Sequence, residues 1–237
     1  MGPDPGDHMA PVEQSHRFER KFIVPPEGRC ALDIAIRFNS ALFAPLHHPR
    51  TVHNIYLDSP ALRLYFLNGD GVTERTKVRI RWYGADSGTL PQPILEFKMK
   101  QGLLGWKESF RLQPFCLDNT FCGAALQEVF HESKLPPEVM RRLGGLEPSL
   151  LNSYHRSYFK SADGRYRITR DSDLKFHRIG PGHNALLCKV AHMPVQVLEL
   201  KYDAADAAGA DAVAGGFPFR VSKFSKYALG VELLNGY

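Results

Sequence analysis

Short stretches of this chain alternate charged and apolar residues with a period of two, and the charged residues keep one parity within each stretch. In "KVRIRWY" (77–83), Lys77, Arg79, Arg81 and Tyr83 fall on one side of an extended strand and Val78, Ile80 and Trp82 on the other, because successive strand side chains point to opposite faces. The same parity joins Glu19 and Lys21, Glu96 and Lys98, Lys107 and Arg111, Tyr154 and Arg156, Arg165 and Arg167, and Glu199 and Lys201. Leu95, Phe97, Ile168, Leu198 and Leu200 occupy the opposite faces. One cationic strand face is commonly a solvated edge, but repetition across the chain calls for a fold that gathers such faces. Antiparallel strands that close into a barrel with a polar interior do so. The expected fold class is therefore α+β: such a sheet can stay open to water on its polar side, but the glutamates among the cations favour an antiparallel barrel with a polar interior, with flanking helices.

The glutamates in these rows narrow the ligand. With 30 Lys and Arg against 25 Asp and Glu, the net charge of +5 suits an anionic partner,. A surface for nucleic acid has little use for in-line Glu19, Glu96 and Glu199, which repel phosphate. Carboxylates beside cations suit a site where a divalent ion bridges carboxylate and phosphate oxygens. Other chemistries lack their signatures. Cys30, Cys116, Cys122 and Cys188 form no CxxC pair, so neither zinc nor a redox dithiol is indicated and buried free thiols are expected. His47, His48, His131 and His177 are expected in loops or helices, without ligand spacing,. "NGDG" (68–71) lacks the acidic ladder of a calcium loop and reads as a turn,. No Ser or Cys lies in a nucleophile motif.

Residues 1–15, rich in Gly, Pro and Asp, are expected as a disordered leader, followed by a single domain over 16–237,. Strands are predicted at "RFERKFIV", "TVHNIYLD", "TKVRIRWYG", "PILEFKMKQ", "GWKESFRLQ", "LLNSYHRSYFKS", "GRYRITRDSDLKFHRIG" and "MPVQVLELKYD", with "QGLLG" as a hairpin loop,. "RCALDIAIRFNSAL" has helical spacing behind Pro25 and Pro26, and a helical insertion is expected over about 118–146, broken at Pro136-Pro137,. The Ala/Gly/Asp tract 203–216 reads as a helix or connector, and "FRVSKFSKYALGVELL" as a closing helix,. No apolar run reaches the roughly 18 residues of a membrane span, and the N-terminus has no signal-peptide pattern, so a cytoplasmic location is expected.

The stretches "RFERKFIV", "KVRIRWYG", "ILEFKMKQ…GWKESFRL", "SYHRSYFKSADGRYRITRDSDL", "VLELKYD" and "RVSKFSKYALG", in this order over about 16–235, resemble the VTC (vacuolar transporter chaperone) domain, a polyphosphate polymerase branch of the CYTH-like triphosphate tunnel metalloenzymes. The resemblance implies a closed eight-stranded antiparallel β-barrel, a triphosphate tunnel with flanking helices, lined by Lys21, Arg79, Arg81, Lys98, Lys107, Arg156, Arg167, Lys201, Lys223 and Lys226, with Tyr154 and Ser225 adding hydrogen bonds. It implies Mn²⁺ or Mg²⁺ held chiefly by Glu199, with Glu19 and Glu96 as further candidates. The first strand departs from the wider superfamily pattern Glu-x-Glu-x-Lys, reading Arg17-x-Glu19-x-Lys21. The missing carboxylate disfavours a two-metal triphosphatase and agrees with the VTC branch.

The implied activity moves the γ-phosphate of ATP onto a polyphosphate chain. Two alternatives use the same residues: a tunnel hydrolase of triphosphate or polyphosphate, and a non-catalytic module binding polyphosphate or inositol polyphosphate. The expected partners are ATP or another triphosphate and polyphosphate, with no nucleic acid. The chain has no membrane span of its own, and a separate membrane partner is compatible with it.

Overall fold

The computed structural model describes residues 17–69, 74–101, 104–179 and 190–236. The expected leader, Cys188, the centre of the "QGLLG" loop and the end of "NGDG" lie outside these residues. The strands are β1 (Arg17–Val24), β2 (Ala44–Asp58), β3 (Glu74–Tyr83), β4 (Gly88–Leu90), β5 (Ile94–Gln101), β6 (Leu104–Arg111), β7 (Phe115–Leu117), β8 (Glu147–Lys160), β9 (Arg167–Arg178), β10 (Val190–Met193) and β11 (Gln196–Asp203). The helices are α1 (Arg29–Phe38), α2 (Arg63–Gly69), α3 (Gly123–Glu132), α4 (Pro137–Leu143), α5 (Ala207–Gly215) and α6 (Lys226–Asn235).

Strand pairing follows the order β1-β11-β9-β8-β2-β3-β5-β6, with β10 on β9, while β4 and β7 form a separate pair. The α+β class stands. The closed barrel does not: the order ends at β1 and β6, and no ladder joins those two strands among the described residues. A period of two dictates which face a side chain takes, but not which strands share a ladder, so closure was not encoded in the pattern.

The chain divides into two compact units, one built on His53–Leu151 with a short segment from His177, the other on Ser15–Val52, Asn152–Phe176 and Val190–Tyr237. In the first unit β3, β5 and β6 are antiparallel in register, placing Val78 opposite Phe97 and Ile80 opposite Leu95. These residues and Trp82 are buried in one cluster with Leu126, Val129 and Phe130 of α3 and Val139 and Leu143 of α4. Those two helices occupy the stretch expected as an insertion. Pro137 starts α4 with its fixed φ and no lost helical hydrogen bond,. The Asp58 carboxylate accepts from the backbone N–H groups of Ser59, Leu64 and Tyr65 at 2.7–2.9 Å, capping α2, a helix that periodicity alone did not reveal.

In the second unit, β1, β11 and β9 bury Phe22, Ile168, Leu198 and Leu200 against Leu32 and Ile36 of α1 and Val213 and Phe217 at α5. Gly164, at φ 78°, supplies the left-handed residue of the Asp163-Gly164 turn before β9,. The closing helix is shorter than its sequence spacing suggested. The Ser225 hydroxyl accepts from the Ala228 N–H and caps α6, so "RVSKF" precedes the helix as extended chain. Val221 bridges Phe22 of β1, and the Ser222 N–H donates to the Lys21 carbonyl at 2.8 Å.

Two smaller expectations are corrected. His47 and His48 lie in β2, whose first half extends beyond its apolar stretch, and His177 lies in β9, inside the strand expected there. Cys30 and Cys116 are exposed and Cys122 half-buried: none sits on the buried stripe of its element. Among the described residues, no helix is long and apolar enough to cross a membrane.

Candidate functional site

The charged face of β3, β5 and β6 is set by register. Arg79 stands opposite Glu96, Lys77 opposite Lys98, and Arg75 opposite Lys100. On β6, Ser109 stands opposite Glu96 and Lys107 opposite Lys98. Glu96 is the only acid among these positions. Arg79 donates to its Oε2 from Nε at 2.7 Å and lies 2.6 Å away through Nη2. Lys107 reaches Oε1 at 3.2 Å, and Arg81 Nη1 is 3.9 Å from Oε2. Arg81 also donates from Nε to Asn54 Oδ1 at 3.0 Å.

Burial alone would push the Glu96 carboxyl up, but Arg79, Arg81 and Lys107 outweigh it and hold the group well below the usual carboxylate range,. It is a permanent anion beneath an excess of cations. Register thus sets three like charges, Lys77, Lys98 and Lys107, side by side across β3, β5 and β6, an arrangement that is unfavourable without counter-charge; Glu96 supplies part of it to Lys107. Among the described residues, the buried Arg75 Nε and Ser109 Oγ atoms have no hydrogen-bond partner,.

The second unit carries a more balanced array. β1 pairs with β11 so that Lys21 faces Glu199 and Glu19 faces Lys201. β9 places Thr169 beside Glu199 and Arg167 beside Lys201. Four cations surround Glu199: Lys201 at 3.2 Å, Arg156 and Lys226 at 3.6 Å, and Lys21 at 3.7 Å. Asp171, 0% exposed, receives Arg156 through Nε and Nη2 at 2.6 and 2.7 Å and Lys226 at 2.5 Å. The Tyr154 ring lies 5.2 Å from the Arg156 guanidinium carbon and 4.8 Å from Lys226 Nζ, within cation–π range.

For Glu199, burial pushes the carboxyl up, yet Lys201, Lys226, Lys21 and Arg156 together bring it well below the usual range. Asp171 is lowered for the same reason, by Lys226 and Arg156 against its burial and the nearby Glu199 charge. Burial would discharge Lys226, but Asp171 and Glu199 reverse that and raise its pKa. Glu199, Asp171 and Lys226 are thus held in their charged forms by one another and by Arg156,.

The structure brings together two groups of the anticipated residues: Arg79, Arg81, Glu96, Lys98 and Lys107 in the first unit, and Glu19, Lys21, Tyr154, Arg156, Arg167, Glu199, Lys201 and Lys226 in the second. Lys98 and Arg167 belong to their arrays by register and are exposed. Ser225 spends its hydroxyl on the helix cap, and Lys223 is exposed on the chain before it. The backbone around these two residues still shapes the site, since Lys21 Nζ donates to the Phe224 carbonyl at 3.0 Å.

Sequence reading missed Asp171 and Asn54. The signal for Asp171 was present: it shares the parity of Arg167 and Thr169 in "RITRD".

As metal donors, Glu199 and Glu19 lie on either side of Lys21 Nζ, at 3.7 and 3.4 Å. Among the described residues, no three acidic, His or Cys side chains converge on one point. Glu199 and Glu19 would be the protein donors to a Mg²⁺ or Mn²⁺ that took its remaining ligands from phosphate and water, with Lys21 moved off both carboxylates. Both Glu96 oxygens are already held by Arg79 and Lys107.

In both units, antiparallel strand faces set cations in register around a few buried carboxylates. The VTC domain family matches residues 16–235, and the chain belongs to that family. Among curated proteins, none matches it significantly in sequence. Solved structures of similar fold include HpAC1 of Hippeastrum, a proposed adenylyl cyclase described as having a dominant triphosphatase activity, at 17% identity and TM-score 0.49, covering 90% of this chain and 94% of that one. A proposed adenylate cyclase of Bacillus halodurans aligns at 15% identity and TM-score 0.48, covering 88% and 93%. Another from Vibrio parahaemolyticus aligns at 12% identity and TM-score 0.47, covering 90% and 97%.

Proposed function

We propose that this chain is a metal-dependent phosphotransferase of the polyphosphate polymerase type, moving the γ-phosphate of ATP onto the end of a polyphosphate chain. The observation that carries this reading is the in-register opposition of like charges, Lys77–Lys98–Lys107 and Arg167–Lys201, a pattern suited to a multiply charged linear anion. Membership of the VTC domain family supports it.

In this reading a terminal oxygen of the polyphosphate attacks the γ-phosphorus, a new P–O bond forms, and the bond to the ADP oxygen breaks. In the second unit, Arg156 and Lys226 hold phosphate oxygens and offset charge on the transferring group, while Lys21, Arg167, Lys201 and Lys223 add the field that retains the chain. In the first unit, Arg79, Arg81, Lys98 and Lys107 form a cationic face of their own for phosphate. Catalysis is then positioning and electrostatics, without a protein nucleophile. Mn²⁺ or Mg²⁺ at Glu199, with Glu19, would supply Lewis-acid bridging of phosphate oxygens. Glu96 serves as a counter-ion, because Arg79 and Lys107 already occupy its oxygens.

The test is product analysis of the purified protein with ATP and Mn²⁺. Long phosphate chains with matching ADP support the proposal. Orthophosphate alone replaces it with a hydrolase, and unchanged nucleotide with a polyphosphate-binding module.

A further inference from the structure

Asp171, Arg156, Glu199 and Lys226 form a closed ring of alternating charge beside the Tyr154 ring. The four links are Asp171–Arg156 at 2.6 Å, Arg156–Glu199 at 3.6 Å, Glu199–Lys226 at 3.6 Å and Lys226–Asp171 at 2.5 Å. The two acids carry the same charge and share the same cations, but they bind them differently. Asp171 makes short bonds, one of them a two-pronged fork, and is fully enclosed. Glu199 makes only long contacts, to four cations at 3.2–3.7 Å, with a hydroxyl contact to Thr169 at 3.4 Å.

We propose that Asp171 is a positioning residue that fixes Arg156 and Lys226 for phosphate, and that Glu199 is the counter-ion those cations release when phosphate arrives. This rests on the reading of the second unit's array as a phosphate site. An oxygen approaching Arg156 and Lys226 competes with contacts of 3.6 Å on the Glu199 side and of 2.5–2.7 Å on the Asp171 side. The longer contacts yield first, since they are ion pairs without a hydrogen bond, whereas the short ones are charge-assisted hydrogen bonds. Asp171 offers the substrate nothing directly, being enclosed behind the two cations it holds. Its contribution is geometric: a guanidinium gripped at Nε and Nη2 keeps one plane and direction, and an ammonium held at the first residue of α6 cannot swing along its four-carbon stem.

The two carboxylates therefore have opposite effects on anion affinity. Removing a negative charge from an anion site ordinarily strengthens anion binding. Glu199→Gln should follow that rule. Asp171→Asn should break it, because freeing Arg156 and Lys226 loses more than the removed repulsion returns. The experiment is calorimetric titration of inorganic tripolyphosphate into the full-length chain, with EDTA present, well below each variant's melting temperature. The expected results are unchanged or tighter binding for Glu199→Gln and weakening by about tenfold or more for Asp171→Asn, the loss that one charged hydrogen bond brings.

Should Asp171→Asn prove too unstable to isolate, Asp171→Glu carries the test, since it keeps the charge and shifts the carboxylate by one methylene. Positioning predicts weaker binding there as well, whereas a counter-ion acting only by charge predicts wild-type affinity. Tighter or unchanged binding by Asp171→Asn, or wild-type affinity in Asp171→Glu, overturns the inference while leaving the phosphate site standing. No tripolyphosphate binding by the wild-type chain overturns the site reading and this inference together.

Discussion

Replacing Arg79 by Ala perturbs ligand binding and stability together, and a second substitution at Glu96 separates the two effects. The guanidinium contacts Glu96 at 2.6 and 2.7 Å, and its removal acts twice. An anion loses a charge-assisted partner worth about 1.5–3 kcal/mol, so tripolyphosphate affinity should fall by roughly ten- to 150-fold. Glu96, whose side chain is 5% exposed, keeps Lys107 at 3.2 Å and Arg81 at 3.9 Å. The folded protein therefore loses about 1–3 kcal/mol, less than a carboxylate stripped of every partner would cost. Adding Glu96→Gln to Arg79→Ala removes the under-paired buried charge at nearly constant shape. The double variant should recover most of the lost melting temperature and little of the lost affinity. Calorimetry with tripolyphosphate at low ionic strength, paired with thermal unfolding, reads both quantities. Wild-type affinity in Arg79→Ala would refute the assignment of this strand face to anions.

Other outcomes are as specific. Glu199→Gln should lower ATP turnover by orders of magnitude and shift the Mn²⁺ titration to higher concentration; an unchanged titration curve would remove Glu199 from the metal site. Lys226→Met, which leaves buried Asp171 with Arg156 alone, should cost about 3–5 kcal/mol in denaturant unfolding, as breaking a buried pair does. Glu96 and Glu199 have folded pKa values below their unfolded ones, so their stabilisation is present above about pH 4.3 and is lost as the pH falls through the folded values. Glu96→Gln should therefore flatten the acid limb of a stability–pH curve. Lys223→Ala, at an exposed position before α6, should leave the melting temperature unchanged and produce only a salt-sensitive loss of polyphosphate affinity.

What the sequence made legible was parity. Arg79, Glu96 and Lys107 could be put on one side, and Val78, Phe97 and Leu95 on the other, because a strand has only two faces and burial selects one. Lys21, Glu199 and Lys201 followed for the same reason. Ladder closure was not legible, since side-chain alternation is blind to which edge pairs with which. Asp171 was passed over because its weight comes from Arg156 on another strand and Lys226 on a helix, contacts spanning 15 and 55 residues of chain. α2 was hidden because its cap is Asp58, five residues before the helix starts. The exposed cysteines were misjudged from residue type alone, although their elements bury other positions.

The most direct test of the account is a crystal structure of the protein with tripolyphosphate and Mn²⁺, with the metal located by its anomalous signal. The account predicts phosphate oxygens within hydrogen-bond reach of Arg156 and Lys226, the Asp171 contacts intact, the Glu199 contacts lengthened, and Mn²⁺ on the Glu199 carboxylate. Anion density elsewhere on the surface, with all four contacts of the Asp171–Arg156–Glu199–Lys226 ring unchanged, would contradict it.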